Sequence, residues 1–181
     1  MEEYLDIVDE NGNLTGEKEL RSVCHEKGFT HRVAVVYFYR IKNNSIKLLV
    51  HLRSKFKEQN PDKWALRFGG HVESGSTIEE TIIKEIKEEV GFNISLNHLI
   101  EGERSFHDAL ENREVAYHYY FNFNDNMSVL SFDDGEVQKV KWMNFKEIER
   151  SIENNPEIWA VSKEGFLNRK INLIKKVSPS M

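Results

Sequence analysis

The chain's 181 residues, 39% of them hydrophobic and including 11 Phe and 3 Trp, suffice for one domain with a substantial core and exclude intrinsic disorder. A formal net charge of -5 offers nucleic acid or an anionic membrane no general attraction, local basic patches aside; the lone Cys24 excludes an internal disulfide and reads as a structural or surface thiol. No apolar run reaches the length of a membrane span, and the start Met1, Glu2, Glu3 lacks the basic and apolar regions of a secretion signal, so the cytoplasm is the expected location.

The apolar run at residues 5–8, the turn pair Asn11 and Gly12, and Leu14 with Thr15 predict a small hairpin. Residues 18–27 are expected to form a short helix carrying Arg21 and His25, completing an amino-terminal segment over residues 1–30. After Gly28, HRVAVVYFYR (residues 31–40) is β-branched, aromatic and nearly continuous in its apolarity, as a central strand is. Asn43 and Asn44 mark a turn, and residues 46–53 supply the partner strand. The polar stretch 55–64, with Pro61, reads as a loop leading to Trp64, Leu66 and Phe68.

Residues 69–92, GGHVESGSTIEETIIKEIKEEVGF, read as a glycine loop, an amphipathic helix and a glycine stop. Ser76 with Glu79 fits a capping box, and Gly91 sits where a helix commonly ends in a left-handed residue. On helical spacing Ile82, Ile83, Ile86 and Val90 gather on one face for burial, while Glu85, Glu88 and Glu89 fall on an adjacent arc. Carboxylates crowded into little more than one turn repel one another unless a positive charge sits among them. On the residues alone two readings stay open: a solvated face with Lys84 and Lys87 pairing along it, or an oxygen-ligand site for Mg²⁺ or Mn²⁺, hard cations that take carboxylates.

Beyond this helix, residues 93–101 are expected as a strand and EVAYHYYFNF (114–123) as a stronger one. In the latter Tyr117, Tyr119 and Phe121 share a face that is expected to pack in the core, the alternatives being to stack on a base or line an apolar pocket. VQKVKWM (137–143) is another strand, after an acidic turn at 133–136. From 144 to about 176 the spacing is helical, with Pro156 near the start of a second, closing helix over 157–176. This order predicts an α/β fold, a single domain over 1–181 with a mixed sheet covered by helices on both sides.

Counted from Gly70, the glycine-helix-glycine stretch resembles the signature of the Nudix hydrolases, Gly-x5-Glu-x7-Arg-Glu-U-x-Glu-Glu-x-Gly-U, where U is bulky and apolar. Glu85, Ile86, Glu88, Glu89, Gly91 and Phe92 are in register; Ser76 stands at the first glutamate and Lys84 at the arginine. EVQKVKWMNFKEI (136–148), with Glu136 and Trp142, resembles the segment that follows that family's last sheet strands. The resemblance implies a Nudix-like α/β/α sandwich, Mg²⁺ or Mn²⁺ as cofactor, and hydrolysis of a small-molecule diphosphate, nucleoside diphosphate-linked or otherwise organic. It implies a catalytic set of Glu85, Glu88 and Glu89, with Glu85 and Glu89 the leading metal ligands, Glu88 a further ligand or a group behind them, and Gly70 beside them at the metal. Glu85 is alternatively the general base. Glu73 either supplies the carboxylate absent at Ser76 or is a solvated loop residue; Arg53 and Arg67 either bind phosphate oxygens or pair on the surface; His71 joins these as a substrate-binding residue. No nucleic acid or membrane partner is expected, and homodimer formation is left open.

The amino-terminal half is more similar to the branch related to isopentenyl-diphosphate isomerase, in DIVDENGNLTG (6–16), His25 and His31 around a glycine turn, HRVAVVYFY (31–39), the pair Gly70 and His71, and ENREV (111–115). That branch implies a second metal site of His25, His31 and His71 with Glu114; the alternative is hydrogen-bonded core or surface imidazoles. The cysteine that precedes Gly-His in that isomerase is Gly69 here, so isomerisation is not expected. A ligand-binding Nudix protein without catalysis, motivated by Ser76 and Lys84, is the third reading.

Overall fold

In the computed structural model, residues 2–109, 112–133 and 135–177 are described. Strands β1 (Tyr4–Val8) and β2 (Leu14–Leu20) pair antiparallel as the expected hairpin. Its turn is built by Asp9, whose carboxylate accepts the backbone N–H of Asn11 (2.8 Å) and Asn13 (2.9 Å). β2 takes residues 18–20, which the sequence assigned to a helix: pairing of Leu20 with Tyr4 and Glu19 with Leu5 outweighs local propensity, so α1 (Arg21–Lys27) starts only afterwards.

The other elements follow as β3 (His31–Lys42), β4 (Ser45–Arg53), β5 (Trp64–Ala65), β6 (Phe68–His71), α2 (Ile78–Val90), β7 (Leu99–Ala109), β8 (Asn112–Asn122), β9 (Val137–Asn144), α3 (Phe145–Asn154) and α4 (Lys163–Val177). A seven-stranded mixed sheet is organised on β3, which pairs antiparallel with β4 and β6 and parallel with β8; β9 and β5 pair with β4, and β7 lies outside β8. Residues of β3 alternate between two cores. Ala34, Val36 and Phe38 pack under Ile78, Ile82, Ile86 and Val90 of α2, while Val35, Tyr37 and Tyr39 pack under Ile148, Ile152, Phe166 and Leu173 of α3 and α4. Burial on both faces is why this strand reads as an unbroken apolar run, and the result is the expected α/β/α sandwich. The β3–β4 connection turns on Asn43 and Asn44, both left-handed (φ 51° and 54°), as a tight hairpin requires.

Other boundaries differ from expectation. Helix α2 is capped by Thr77, not Ser76: its hydroxyl accepts the Glu80 N–H (3.1 Å) and the Glu80 carboxylate accepts the Thr77 N–H (2.9 Å). Ile83 lies outside the buried stripe and Ile78 inside it, while Gly91 ends the helix left-handed (φ 64°) as expected. Residues 96–98 form a 3₁₀ turn and β7 begins at Leu99; as an edge strand carrying Glu101, Glu103, Arg104 and Asp108 it gives little apolar signal. Pro156 opens a 3₁₀ turn (Pro156–Ile158), not the closing helix. Behind it Trp159 is buried and donates its indole N–H to Ser151 Oγ (3.1 Å), and α4 begins at Lys163. Tyr119 and Phe121 pack in the α2-side core, with the Tyr119 hydroxyl donating to Glu79 (3.3 Å).

Candidate active site

Strand β6 delivers Gly69, Gly70 and His71 alongside Val35, Ala34 and Val33 of β3. At Gly69 the backbone has φ 127°, and a Cβ would lie 2.1 Å from the Ala34 carbonyl oxygen, so no other residue fits this conformation. Gly70 is glycine for a different reason: a Cβ there would lie 2.6 Å from the Glu85 carboxylate, which rests against it. The loop from β6 to α2 is splinted by β1. The Ser74 N–H donates to Tyr4 O (2.7 Å), Leu5 bridges Glu73, and the Gly75 N–H reaches Asp6 Oδ2 (3.3 Å), a carboxylate also paired with Arg32 (3.1 Å). The two departures from the signature meet here: Lys84 pairs with Glu73, which raises the Lys84 pKa, and Ser76 donates its N–H to Glu73 O (3.0 Å).

The glutamates of α2 are graded in depth. Glu88 is exposed, Glu85 half-buried and Glu89 buried. Burial, then the charge of Glu88, pushes the Glu85 carboxyl up to about 7. Burial also drives Glu89 well above the ordinary carboxylate range, although its Oε2 accepts the Gly69 N–H (2.8 Å). Glu89 further hydrogen-bonds Glu136, from the turn before β9, and Glu136 forms an ion pair with Lys57 of the β4–β5 loop. Glu136 and Lys57 are the site residues that sequence reading did not assign. Each lies in a polar turn with no spacing rule to α2; the resemblance around Glu136 was the only pointer.

A cleft of about 440 Å³ opens beside this centre, lined by His71, Glu73, Ser76, Thr81, Lys84 and Glu85. Arg53 sits near Glu89, half-buried, with Nε (3.2 Å) and Nη2 (3.0 Å) donating to Gln59 O; burial lowers its pKa and Glu89 opposes that. It is therefore neither a paired surface charge nor fully available to a phosphate. Arg67 makes no side-chain hydrogen bond or ion pair among the described residues, and its charge acts on Arg53, Tyr37 and His118.

At the same end of the sheet α1, β3 and β6 bring His25, His31 and His71 together, with ligand atoms all within 4.8 Å of one another. His25 Nε2 lies 3.3 Å from His71 Nε2, and His71 Nε2 lies 3.8 Å from Glu114, which stands opposite His31 in the parallel β3–β8 register. Nδ1 of His31 is 2.9 Å from the Phe29 carbonyl, which only accepts, so Nδ1 carries a proton. Its Nε2 is buried and has no hydrogen-bond partner among the described residues. Burial lowers the His25 pKa and takes His71 down to about 2, with neighbouring positive groups adding to it, so both rings are neutral at pH 7, the form that ligates metals.

A family model described as the NUDIX domain matches residues 29–164. The chain belongs to the Nudix family and is a Nudix-type hydrolase. An uncharacterized Nudix hydrolase of Clostridium acetobutylicum is 29% identical over 170 residues, 92% of this chain and 81% of the relative. Isopentenyl-diphosphate Delta-isomerase 2 of Photorhabdus laumondii is 26% identical over 171 residues, 93% of this chain and 92% of that one. The crystal structure of a Deinococcus radiodurans protein, 21% identical, shares the fold with a TM-score of 0.69 over 93% of this chain and 98% of that one.

Proposed function

We propose that the protein is a Mg²⁺-dependent hydrolase, with Mn²⁺ as the alternative ion, that cleaves a diphosphate bond in a nucleoside diphosphate-linked or other organic diphosphate. The observation that carries this is the Glu85 carboxylate lying against Gly70 at the edge of a cleft, with Glu89 anchored behind it on the Gly69 N–H. Oxygen donors packed this closely, one of them buried, fit a hard divalent cation and are unfavourable without one. Glu85 and Glu89 would hold the ion beside Gly70, with Glu88 reaching from the exposed side. When bound, the ion polarises the phosphoryl group, stabilises the leaving oxygen and acidifies water. Alternatively Glu85, which opens onto the cleft, would be the base that takes the proton of the attacking water as that water's oxygen bonds to phosphorus and the bridging P–O bond breaks, leaving the ion to Glu88 and Glu89. Lys84 and its partner Glu73 keep the loop against α2. The test is turnover on a panel of nucleotide and isoprenoid diphosphates with and without Mg²⁺ or Mn²⁺; absence of metal-dependent phosphate release on all of them overturns the reading.

The orphaned Nε2 of His31 supports a second ion on His25, His31, His71 and Glu114, a nitrogen-rich set suited to Mn²⁺ or Zn²⁺. Metal content after dialysis separates the two centres: His31→Gln should lose an ion that Glu85→Gln retains. Gly69 argues against isomerisation from this scaffold, because its conformation admits no cysteine. Proton exchange into isopentenyl diphosphate would revive that activity.

A further inference from the structure

We propose that Lys57 is a displaceable internal counter-ion: its ammonium, paired with Glu136 at the buried carboxylate centre, leaves Glu136 when a divalent ion arrives and turns to the substrate's phosphates, so that metal binding prepares anion binding. This rests on the hydrolase reading above and adds Glu136 to the ion's ligands. The chain of contacts is continuous. Gly69 N–H donates to Glu89, Glu89 hydrogen-bonds Glu136, and Glu136 pairs with Lys57. The ammonium therefore sits where a cation is required, on a carboxylate that reaches Glu89 of α2 from another part of the chain.

The mount around it is fixed while the charge is free to move. The β4–β5 loop is tied to the start of β9 by Ser54 N–H to Glu136 O (2.8 Å), and by the Gln138 amide to Arg53 O and Asp62 Oδ1 (both 2.7 Å). Arg53, another cation here, is committed to the Gln59 carbonyl through two N–H groups. Lys57 contributes its N–H to Ser54 O (3.3 Å), but its side chain, about a quarter exposed, has Glu136 as its hydrogen-bond partner. A compact ammonium on a flexible stem can exchange a carboxylate for a phosphate, whereas a forked guanidinium already engaged cannot do so without breaking both bonds. A dication on Glu89 and Glu136 repels the ammonium and satisfies the carboxylate that held it. A diphosphate then offers a new anionic partner.

The experiment titrates Mn²⁺, read by the electron paramagnetic resonance of the free ion, into wild type, Lys57→Met, Glu136→Gln and the double variant. Methylenediphosphonate, a non-hydrolysable diphosphate, is then titrated by calorimetry with Mn²⁺ present. Lys57→Met keeps the aliphatic stem and Glu136→Gln the shape, and circular dichroism checks that each is folded. Removing the competing cation is expected to tighten Mn²⁺ binding about twofold to fivefold, the worth of a partly exposed ion pair. Glu136→Gln should weaken it by about tenfold. In the Glu136→Gln background Lys57→Met should have no further effect, and Lys57→Met should bind methylenediphosphonate more weakly than wild type. Unchanged Mn²⁺ affinity in Lys57→Met, or a tightening that persists undiminished without Glu136, overturns the exchange and leaves the hydrolase reading standing. A wild-type protein that binds no Mn²⁺ overturns both.

Discussion

Replacing Gly70 with alanine isolates the contact that seats Glu85 in the carboxylate centre. Gly70 is not in the left-handed region, so alanine brings no backbone strain, only a methyl group where the Glu85 carboxylate now rests. That methyl would lie 2.6 Å from the carboxylate, and ordinary contact begins at 3.4 Å, so Glu85 must retreat by about 0.8 Å. Glu85 is half-buried at the cleft edge and has room to swing, so the stability cost should sit at the low end of overpacking, about 1 kcal/mol. Catalysis tolerates such a shift far less: a misplacement near 1 Å costs on the order of 100-fold. The expected pattern is a protein that melts nearly as wild type does, releases phosphate from its best diphosphate substrate roughly 100-fold more slowly, and binds Mn²⁺ more weakly. Glu85→Gln is the reference for complete loss of the charge. If Gly70→Ala turns over and binds Mn²⁺ as wild type does, Glu85 is not fixed by Gly70 and the assignment of the centre fails.

Other outcomes follow from the same geometry. Burial raises the Glu85 carboxyl from 4.5 when unfolded to about 7 in the metal-free fold, so the folded state holds the extra proton; stability is full below pH 4.5 and falls as pH rises to about 7, by on the order of 3 kcal/mol. Glu85→Gln should flatten that part of the urea-unfolding profile between pH 4.5 and 8 in the presence of a chelator. Gly69→Cys should destabilise the protein by more than about 3 kcal/mol and fail to exchange protons into isopentenyl diphosphate, since φ 127° and the Ala34 carbonyl 2.1 Å away leave no place for a side chain. Lys84→Met removes an ion pair whose members are each about half exposed and should change the unfolding free energy by under about 1 kcal/mol. Any larger loss of turnover would then report loop position.

The elements legible in the sequence were those whose signal is local and strong. The doubly buried β3, the paired left-handed asparagines after it and the glycine stop of α2 each follow from a short-range rule. Illegible elements were decided by distant partners. Residues 18–20 join a hairpin because β1 lies beside them, β7 hides its strand character behind edge charges, and Trp159 delays α4 by filling the core beneath α3. The site divides in the same way. Glu85, Glu88 and Glu89 lie on one helix and their spacing is readable, whereas Glu136 and Lys57 lie 79 residues apart and only folding brings them together. Ser76 and Lys84 read as departures from a signature, and the Lys84–Glu73 pair spans eleven residues that no spacing rule joins.

Why two ligand-rich centres crowd one end of this sheet follows from the pleat. Successive residues of β6 point to opposite faces, so Gly70, opposite Ala34, meets α2, while His71, opposite Val33, shares the other face with His31 two residues upstream. The parallel register of β3 and β8 puts Glu114 directly beside His31 on that same face. One short strand thus lends a glycine to the carboxylates and an imidazole to the histidines, and the cleft at its end is lined by both His71 and Glu85. A one-residue slip of β6 would exchange these faces and dismantle both centres at once. Gly69, which only glycine can occupy, is where such a slip is resisted: its close approach to Ala34 and its N–H bond to Glu89 hold the strand in register against β3 and α2 together.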